Sequence, residues 1–400
     1  MDKINLGVVF GGKSVEHEVS IITGLQIIAN ADKEKYNIIP VYIDKEGKWF
    51  TGQALLDINS FKDIPALKKK ISEEYLHPGS NSSLIPTSPL SFVKQKIKID
   101  VVFPAIHGTF GEDGTLQGFL EMANVPYVGS GVTGSALGMD KILQKDVFKA
   151  NSIPVINYSW FLREEWISDR DRVIKKIEGD LDYPMVVKPA NLGSSVGIHK
   201  VKDREELITA IELAVVFDRR IIVEHFLSGV VEINCSVLGY SSLETSVCEQ
   251  PVKSEELLSY EDKYLRGNKG DGGDEGDQEN RGKNSGMASL SRIIPAPISQ
   301  KQSKEIAEMA KKVFRVCDCS GVARIDFFLH EKSGKFWVCE INTLPGSISF
   351  YLWEKSNYPF PKLIAELVDL AMERFHDRKQ TNYSFSSNLL QGMAKGSKGP

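Results

Sequence analysis

The sequence is poor in cysteine, with five in 400 residues, an odd number; Cys317 and Cys319 stand too close for an ordinary disulfide, and no Cys/His cluster has zinc spacing. A disulfide framework and a structural zinc are thereby excluded, and the thiols read as small, reduced, buried apolar groups. An excess of charge of one sign is also missing: 49 Lys and Arg against 53 Asp and Glu give a net charge of −4. Nothing so balanced attracts nucleic acid or an anionic membrane surface, so any basic site must be local. Long hydrophobic runs are absent as well. The apolar opening Ile4–Phe10 is far below the roughly 18 residues of a spanning helix and carries no signal-peptide cleavage pattern. The expectation is a cytoplasmic chain without a membrane or nucleic-acid partner. At roughly 100–200 residues per domain, its length predicts two to four domains.

What is present is an alternation of buried strands and amphipathic helices. Ile4–Phe10 reads as a strand stopped by Gly11 and Gly12. Ser14 then caps a helix whose apolar positions, Val15, Val19, Ile22 and Leu25, follow a 3.6-residue period. Strands at Val41–Ile43 and Ile99–Ile106 and a helix at Leu116–Met122 complete an open α/β pattern, whose ligands gather beyond the carboxyl ends of the strands. Gly-rich Ser130–Ser135 reads as a hinge. Fresh strands follow at Met185–Lys188, Ile198–Val201, Ile221–Glu224 and Glu232–Leu238, with a helix at Glu205–Val216. The low-complexity run Gly267–Gly286 buries too little apolar surface to order itself and predicts a mobile loop. A helix (Lys304–Val316), a hairpin (Val322–Asn342), a closing helix (Pro361–Phe375) and a polar, disordered tail end the chain.

One motif matches and misleads. Gly7 to Ser14 satisfies the P-loop pattern letter for letter, but Val8, Val9 and Phe10 belong to the strand itself, which puts Gly7 inside the strand instead of at the mouth of a phosphate loop. The diglycine reads better as a place where a small ligand approaches backbone.

The hairpin Val322–Asn342 carries the strongest chemical signal. Arg324 and Asp326 share one face of the first strand, and Glu340 and Asn342 one face of the second. Folding about a turn near Ser333 and Gly334 sets Asp326 opposite Glu340 and Arg324 opposite Asn342, unless a bulge slips the register. Two facing carboxylates at about 4 Å repel by on the order of 4 kcal/mol at an effective dielectric near 20. Arg324 alone can offset this in an ion network; magnesium, which takes oxygen ligands and joins carboxylates to nucleotide phosphates, is the functional reading. Phosphate donors are offered by Lys188 and the Gly193-Ser194-Ser195 loop, with Lys141 at a helix start; taken alone, the turn is more often a plain hairpin and Lys141 more often a solvated lysine. Glu224 to Leu227, with Glu232, offers an apolar slot and a ribose acceptor, though Glu232 is equally an exposed strand acid. His107, in the loop His107–Gly114, sits at a strand's carboxyl edge, where a structural and a functional histidine are equally expected.

In this order the motifs Gly11-Gly-Lys-Ser14-Val-Glu16-His-Glu-Val-Ser20, His107-Gly-x-x-Gly-Glu-Asp-Gly114, Lys188-Pro-x-x-x-Gly-Ser-Ser195-Val-Gly, Arg324-Ile-Asp326 and Glu340-Ile-Asn342-Thr-Leu-Pro-Gly346 resemble the D-alanine–D-alanine ligase family of ATP-grasp enzymes. The resemblance implies an α/β and α+β fold in three domains: residues 1–134 an open parallel α/β substrate domain, and 135–232 and 233–380 gripping ATP, with 381–400 a disordered tail. It implies that ATP and two magnesium ions, replaceable by manganese, activate D-alanine as an acyl phosphate that a second D-alanine attacks, in peptidoglycan precursor synthesis. By position, Glu16 resembles the holder of the first substrate's ammonium, linked through Ser194 to Tyr264. Lys141, Lys188, Ser195 and Lys263 resemble the phosphate grip; Glu224, Phe226, Leu227 and Glu232 the adenosine site; Asp326, Glu340 and Asn342 the metal ligands. Arg324 and the Gly346 N–H resemble oxyanion stabilisers, and His107 lies near the first carboxylate. Tyr351 and Leu352 fall where the family has a Ser-Leu pair for the second carboxylate, so Tyr351 departs from the pattern. A homodimer is the family's common form. A ligase for D-lactate, D-serine or another D-amino acid, and a non-catalytic nucleotide-binding module, are the alternatives.

Overall fold

The computed structural model describes residues 3–79, 82–87, 96–193, 197–252 and 292–387. The expectations for Ser194, Ser195, Lys263, Tyr264 and the Gly267–Gly286 loop lie outside the described residues. The first sheet has seven strands: β1 (Ile4–Gly11), β2 (Tyr36–Ile43), β3 (Trp49–Thr51), β4 (Ser72–Leu76), β5 (Ser83–Pro86), β6 (Ile97–Lys98) and β7 (Val101–Pro104). Their order is β6-β5-β4-β3-β2-β1-β7. The expected parallel arrangement holds for β2-β1-β7, and antiparallel strands β3 to β6 extend it along one edge. Leu6, Val8, Val9 and Phe10 are wholly buried, because helices cover both faces of β1 and an apolar strand is what such a layer requires.

Helix α1 (His17–Asn30) begins later than its sequence suggests. The Ser14 hydroxyl accepts the Glu16 N–H at 3.1 Å, shaping the turn before the helix instead of capping it. Val15 is consequently exposed, while Val19 of the expected face is buried and Ile22 and Leu25 are half-buried; Ile21, Gly24, Ile27 and Ile28 turn inward as well. Short α2 (Ile64–Lys68) and α3 (Thr115–Met122) complete this layer. The expected hinge Ser130–Ser135 instead opens α4 (Val132–Met139). It is packed tightly: a Cβ on Gly134 would lie 2.6 Å from the Asp318 carbonyl oxygen.

Helix α5 (Lys141–Ala150) leads to β8 (Tyr158–Leu162), α6 (Arg163–Ser168), α7 (Arg170–Asp180), β9 (Met185–Pro189), β10 (His199–Val201), α8 (Arg204–Phe217) and β11 (Arg220–His225). These strands form an antiparallel sheet in the order β10-β9-β11-β8. Met185, Val187, Ile221 and Val223 point to one side, onto α7 and α8, in an apolar cluster.

The third sheet comprises β12 (Val230–Gly239), β13 (Leu243–Thr245), β16 (Gly321–His330) and β17 (Phe336–Asn342), in the order β13-β12-β16-β17. The ribbon β14 (Gln250–Pro251) and β15 (Arg292–Ile293) lies beside it. Strict alternation builds its core: Ile233, Cys235, Val237, Ala323, Ile325 and Phe327 pack against α9 (Gln300–Val316). On the opposite face the centre is polar, with Glu232, Asn234, Ser236, Arg324 and Asp326, and Leu238 and Val322 at one end join the first core. Helices α10 (Phe350–Lys355) and α11 (Phe360–Arg378) then return to the first sheet. All five cysteines are free thiols, as the composition suggests.

Candidate active site

Helix α5 lies between two polar sheet faces. On one, Lys188 of β9 and Glu224 of β11 are diagonal neighbours, and the Lys188 Nζ donates to Glu224 Oε2 at 2.7 Å. Lys145 of α5 approaches the other carboxylate oxygen at 2.9 Å. All three groups are buried. Burial alone would raise the Glu224 pKa, but Lys145 and Lys188 outweigh it and hold the carboxyl down to about 2. One helical turn before Lys145, Lys141 donates to the Leu192 carbonyl at 2.8 Å and stands 3.8 Å from Glu340 across the cleft.

On the facing sheet, polar residues form two rungs across three strands. Asn234, Asp326 and Glu340 make one, and Ser236, Arg324 and Asn342 the next. The register expected for the hairpin holds at both rungs, and the bulge falls beyond them, between Asp326 and Phe327. Gly334 in the connecting turn has φ +70°, the left-handed conformation expected there. Arg324 donates through Nε and Nη2 to the two Asp326 oxygens at 2.7 and 2.8 Å, and Asn342 Nδ2 adds a third bond at 3.0 Å. Burial pushes the Asp326 carboxyl up to about 6; Arg324 opposes this, and Glu232 and Glu340 add to it.

The first sheet closes the third side. Gly11 and Gly12 have φ near +92° and +94°, and a Cβ on Gly11 would fall 2.2 Å from the Ile43 carbonyl oxygen, so the β1 terminus admits only glycine. Gly7 lies inside β1, against Ile99, which removes the P-loop reading. The buried Glu16 carboxylate is wedged between two glycines: a Cβ on Gly108 or Gly193 would come within 2.7 or 2.9 Å of its Oε2. His107 is held by its Nε2 at 2.9 Å from Thr23 Oγ1, while its Nδ1 stands 3.5 Å from Glu112. Burial alone would lower the His107 pKa, but Glu112 and Glu16, with the Leu344 carbonyl, raise it above its ordinary value. The loop after β17 thus touches the loop after β7.

Beyond Gly346 the backbone is strained. Ser347, Ile348 and Ser349 have φ of 51°, 55° and 50°, where each non-glycine residue costs about 1–2 kcal/mol. This turn delivers Tyr351, whose hydroxyl donates to Glu249 Oε1 at 3.2 Å. Glu249 in turn pairs with Arg292 at 2.8 Å.

Family models for the D-ala D-ala ligase N-terminus and the D-ala D-ala ligase C-terminus match residues 5–130, and residues 147–273 with 277–369. The D-alanine–D-alanine ligase of Thermosipho melanesiensis is 38% identical over 390 residues, covering 97% of this chain and 98% of the relative. The chain belongs to the D-alanine–D-alanine ligase family. Among solved structures, the D-alanine-D-alanine ligase from Coxiella burnetii superposes with a TM-score of 0.78 at 28% identity, over 98% of this chain and 99% of that one. The VanG D-Ala:D-Ser ligase from Enterococcus faecalis gives 0.76 at 30% identity, over 92% and 100%.

Set against the family's pattern, contacts join Lys141 to Glu340, Lys188 to Glu224, and Asp326 to Arg324 and Asn342, with Glu232 near Asp326, Glu16 beside Gly108 and Gly193, and the turn at Gly346 packed on α1 and β16. Phe226 and Leu227 are part-exposed at the end of β11, with Lys200 Nζ 3.9 Å over the Phe226 ring. Leu352 lies on the inner side of α10, wholly buried in the first core, where it packs instead of lining open space. Sequence reasoning missed Lys145, Glu249 and Arg292. Lys145 had a signal, four residues after Lys141 and so on the same helical face. The other two flank the low-complexity run, and only the pairing of β14 with β15 reveals them.

Proposed function

We propose that this protein is an ATP-dependent ligase that joins two D-alanines for peptidoglycan precursors, in the cytoplasm and as a homodimer, with its three sheets as the frames of three domains. The observation that carries this reading is the pair of facing polar surfaces, lysines on one and carboxylates on the other. Lys141 and Lys188 face the nucleotide phosphates, and the slot at Phe226, Leu227 and Glu232 receives adenosine. Glu224 holds Lys188 and Lys145 in place, so that the cations stay buried without collapsing together. Glu16, sealed between glycines, takes the first substrate's ammonium, and His107 its carboxylate.

The metal reading fits the donor set. Asp326, Glu340 and the Asn342 amide are hard oxygen donors set side by side on adjacent strands. Among the described residues no group of three or more His, Cys, Asp or Glu is preassembled. Phosphate oxygens and water would therefore complete the shell, as is usual for magnesium. When bound, magnesium neutralises phosphate charge and polarises the phosphorus–oxygen bond.

The first carboxylate attacks the γ-phosphorus, giving an acyl phosphate and ADP; the second substrate's amine attacks the acyl carbon and phosphate leaves. Arg324, oriented by two bonds to Asp326, aims its remaining donors with the Gly346 N–H at the developing oxyanion. Ser194, Ser195, Lys263 and Tyr264 belong to the same reading by sequence position. The test is phosphate release from ATP across paired D-amino and D-hydroxy acids, with products weighed by mass spectrometry. D-alanine alone should support release and yield D-alanyl-D-alanine. Release without an amino acid, or a product containing D-lactate or D-serine in preference, would overturn it.

A further inference from the structure

Tyr351 stands where the sequence reading expects a donor to the second substrate's carboxylate, yet its surroundings commit it elsewhere. Its hydroxyl proton is directed at Glu249 Oε1, 3.2 Å away. Glu249 is fully buried and ion-paired at 2.8 Å with Arg292, itself almost fully buried, so as a carboxylate it can only accept. The Arg292 guanidinium lies 3.9 Å over the Tyr351 ring and fixes the plane of the phenol. Behind Glu249, the Asn234 amide donates to its Oε1 at 3.3 Å in one orientation and, turned over, to Asp326 Oδ1 at 3.2 Å in the other, so it serves one carboxylate at a time. Arg324 as well as Arg292 lies close enough to bear on the charge of the phenol.

We infer that Glu249, braced by Arg292, is a positioning residue that acts through Tyr351 on Arg324, so that Tyr351 orients the oxyanion arginine and does not bind the second carboxylate. With its proton given to Glu249, the phenol oxygen presents lone pairs, and the partner suited to them is a guanidinium N–H. Arg324 is then oriented from two sides, by Asp326 and by Tyr351. Burial, with Glu249 beside it, raises the Tyr351 pKa and keeps the hydroxyl protonated for this task. The inference rests on the ligase reading above, because Arg324 matters only if an oxyanion forms.

The test uses the full-length enzyme with ATP, magnesium and D-alanine, and compares Tyr351→Phe and Glu249→Gln with the parent. The quantity read is phosphate released per dipeptide formed. A well-oriented Arg324 keeps this ratio at about one; a misoriented one slows capture of the acyl phosphate by the amine and lets water take it. Tyr351→Phe should raise the ratio to about three or more while changing the acceptor KM by less than about threefold. The Tyr351→Phe/Glu249→Gln double variant should be no worse than the worse single, since both act on one path. Tyr351→Phe retains the Glu249–Arg292 pair, so it decides the matter even if Glu249→Gln fails to fold. A ratio unchanged at one would overturn the inference, whether the acceptor KM rises tenfold, which would mean a direct substrate contact, or only the melting temperature falls, which would mean a structural role. A parent enzyme that releases no phosphate with D-alanine would instead sink the ligase reading.

Discussion

In the first sheet, β1 runs from Leu6 to Phe10 without a polar side chain, and its contribution to the cleft comes from the glycines at its end. In the third sheet, Arg324 and Asp326 interrupt the middle of β16, and two polar rungs run across the centre of three strands on one face. The difference has a physical basis. A parallel strand covered on both faces can hold nothing polar, so it presents backbone and loops at its tip. An antiparallel sheet with one covered face is free to carry charges on the other, provided each finds a partner. The first arrangement is vulnerable to added bulk, the second to a missing partner.

The largest effect should follow from Glu340→Gln, which keeps shape and removes charge while leaving the Arg324–Asp326 pair intact. Turnover should fall by about a thousandfold or more, with the melting temperature nearly unchanged, as phosphate release and thermal unfolding together would record. Asp326→Ala is a poorer test, since it strands a buried guanidinium at a cost of about 3–5 kcal/mol. Glu224→Gln comes next. It leaves two buried lysines without their shared counter-ion, and urea unfolding at neutral pH should show a loss of roughly 3 kcal/mol. Because the folded carboxyl titrates near 2 against 4.5 ordinarily, its stabilisation is complete above pH 4.5 and lost as pH falls toward 2. The variant should lose that part of the acid-side slope. On the first sheet, Gly11→Ala should cost about 2–3 kcal/mol through the clash with the Ile43 carbonyl and the left-handed φ, by the same unfolding measurement. The smallest effect concerns His107. Its folded pKa is raised above 6.5, so its stabilisation is full below pH 6.5 and fades as pH rises through the folded value. Glu112→Gln should flatten that part of the stability profile by about 1 kcal/mol or less; an unchanged slope would remove Glu112 as the cause.

The third sheet was the more legible of the two regions. A two-residue period with charges inside apolar strands states both the face and the pairing, and one turn glycine sets the register; Asp326 and Glu340 therefore meet where they were expected. Helix α1 was less legible, because Ser14 has two uses for its hydroxyl and sequence does not say whether it caps a helix or shapes the turn ahead of it. Residues that act through distant partners left no trace. Glu249 and Arg292 are 43 positions apart, and neither neighbourhood advertises a buried ion pair. Nor does the sequence say that Leu352 turns into the core, which depends on the left-handed run at Ser347–Ser349.

The most direct test of the two-surface arrangement is a crystal structure with ADP and manganese, read by anomalous scattering. The account predicts a peak about 2.0–2.4 Å from oxygens of Asp326 and Glu340, with the phosphates reaching Lys141 and Lys188 from the other side. A nucleotide seated on Gly7–Ser14, or a manganese ion bound away from both carboxylates, would contradict it.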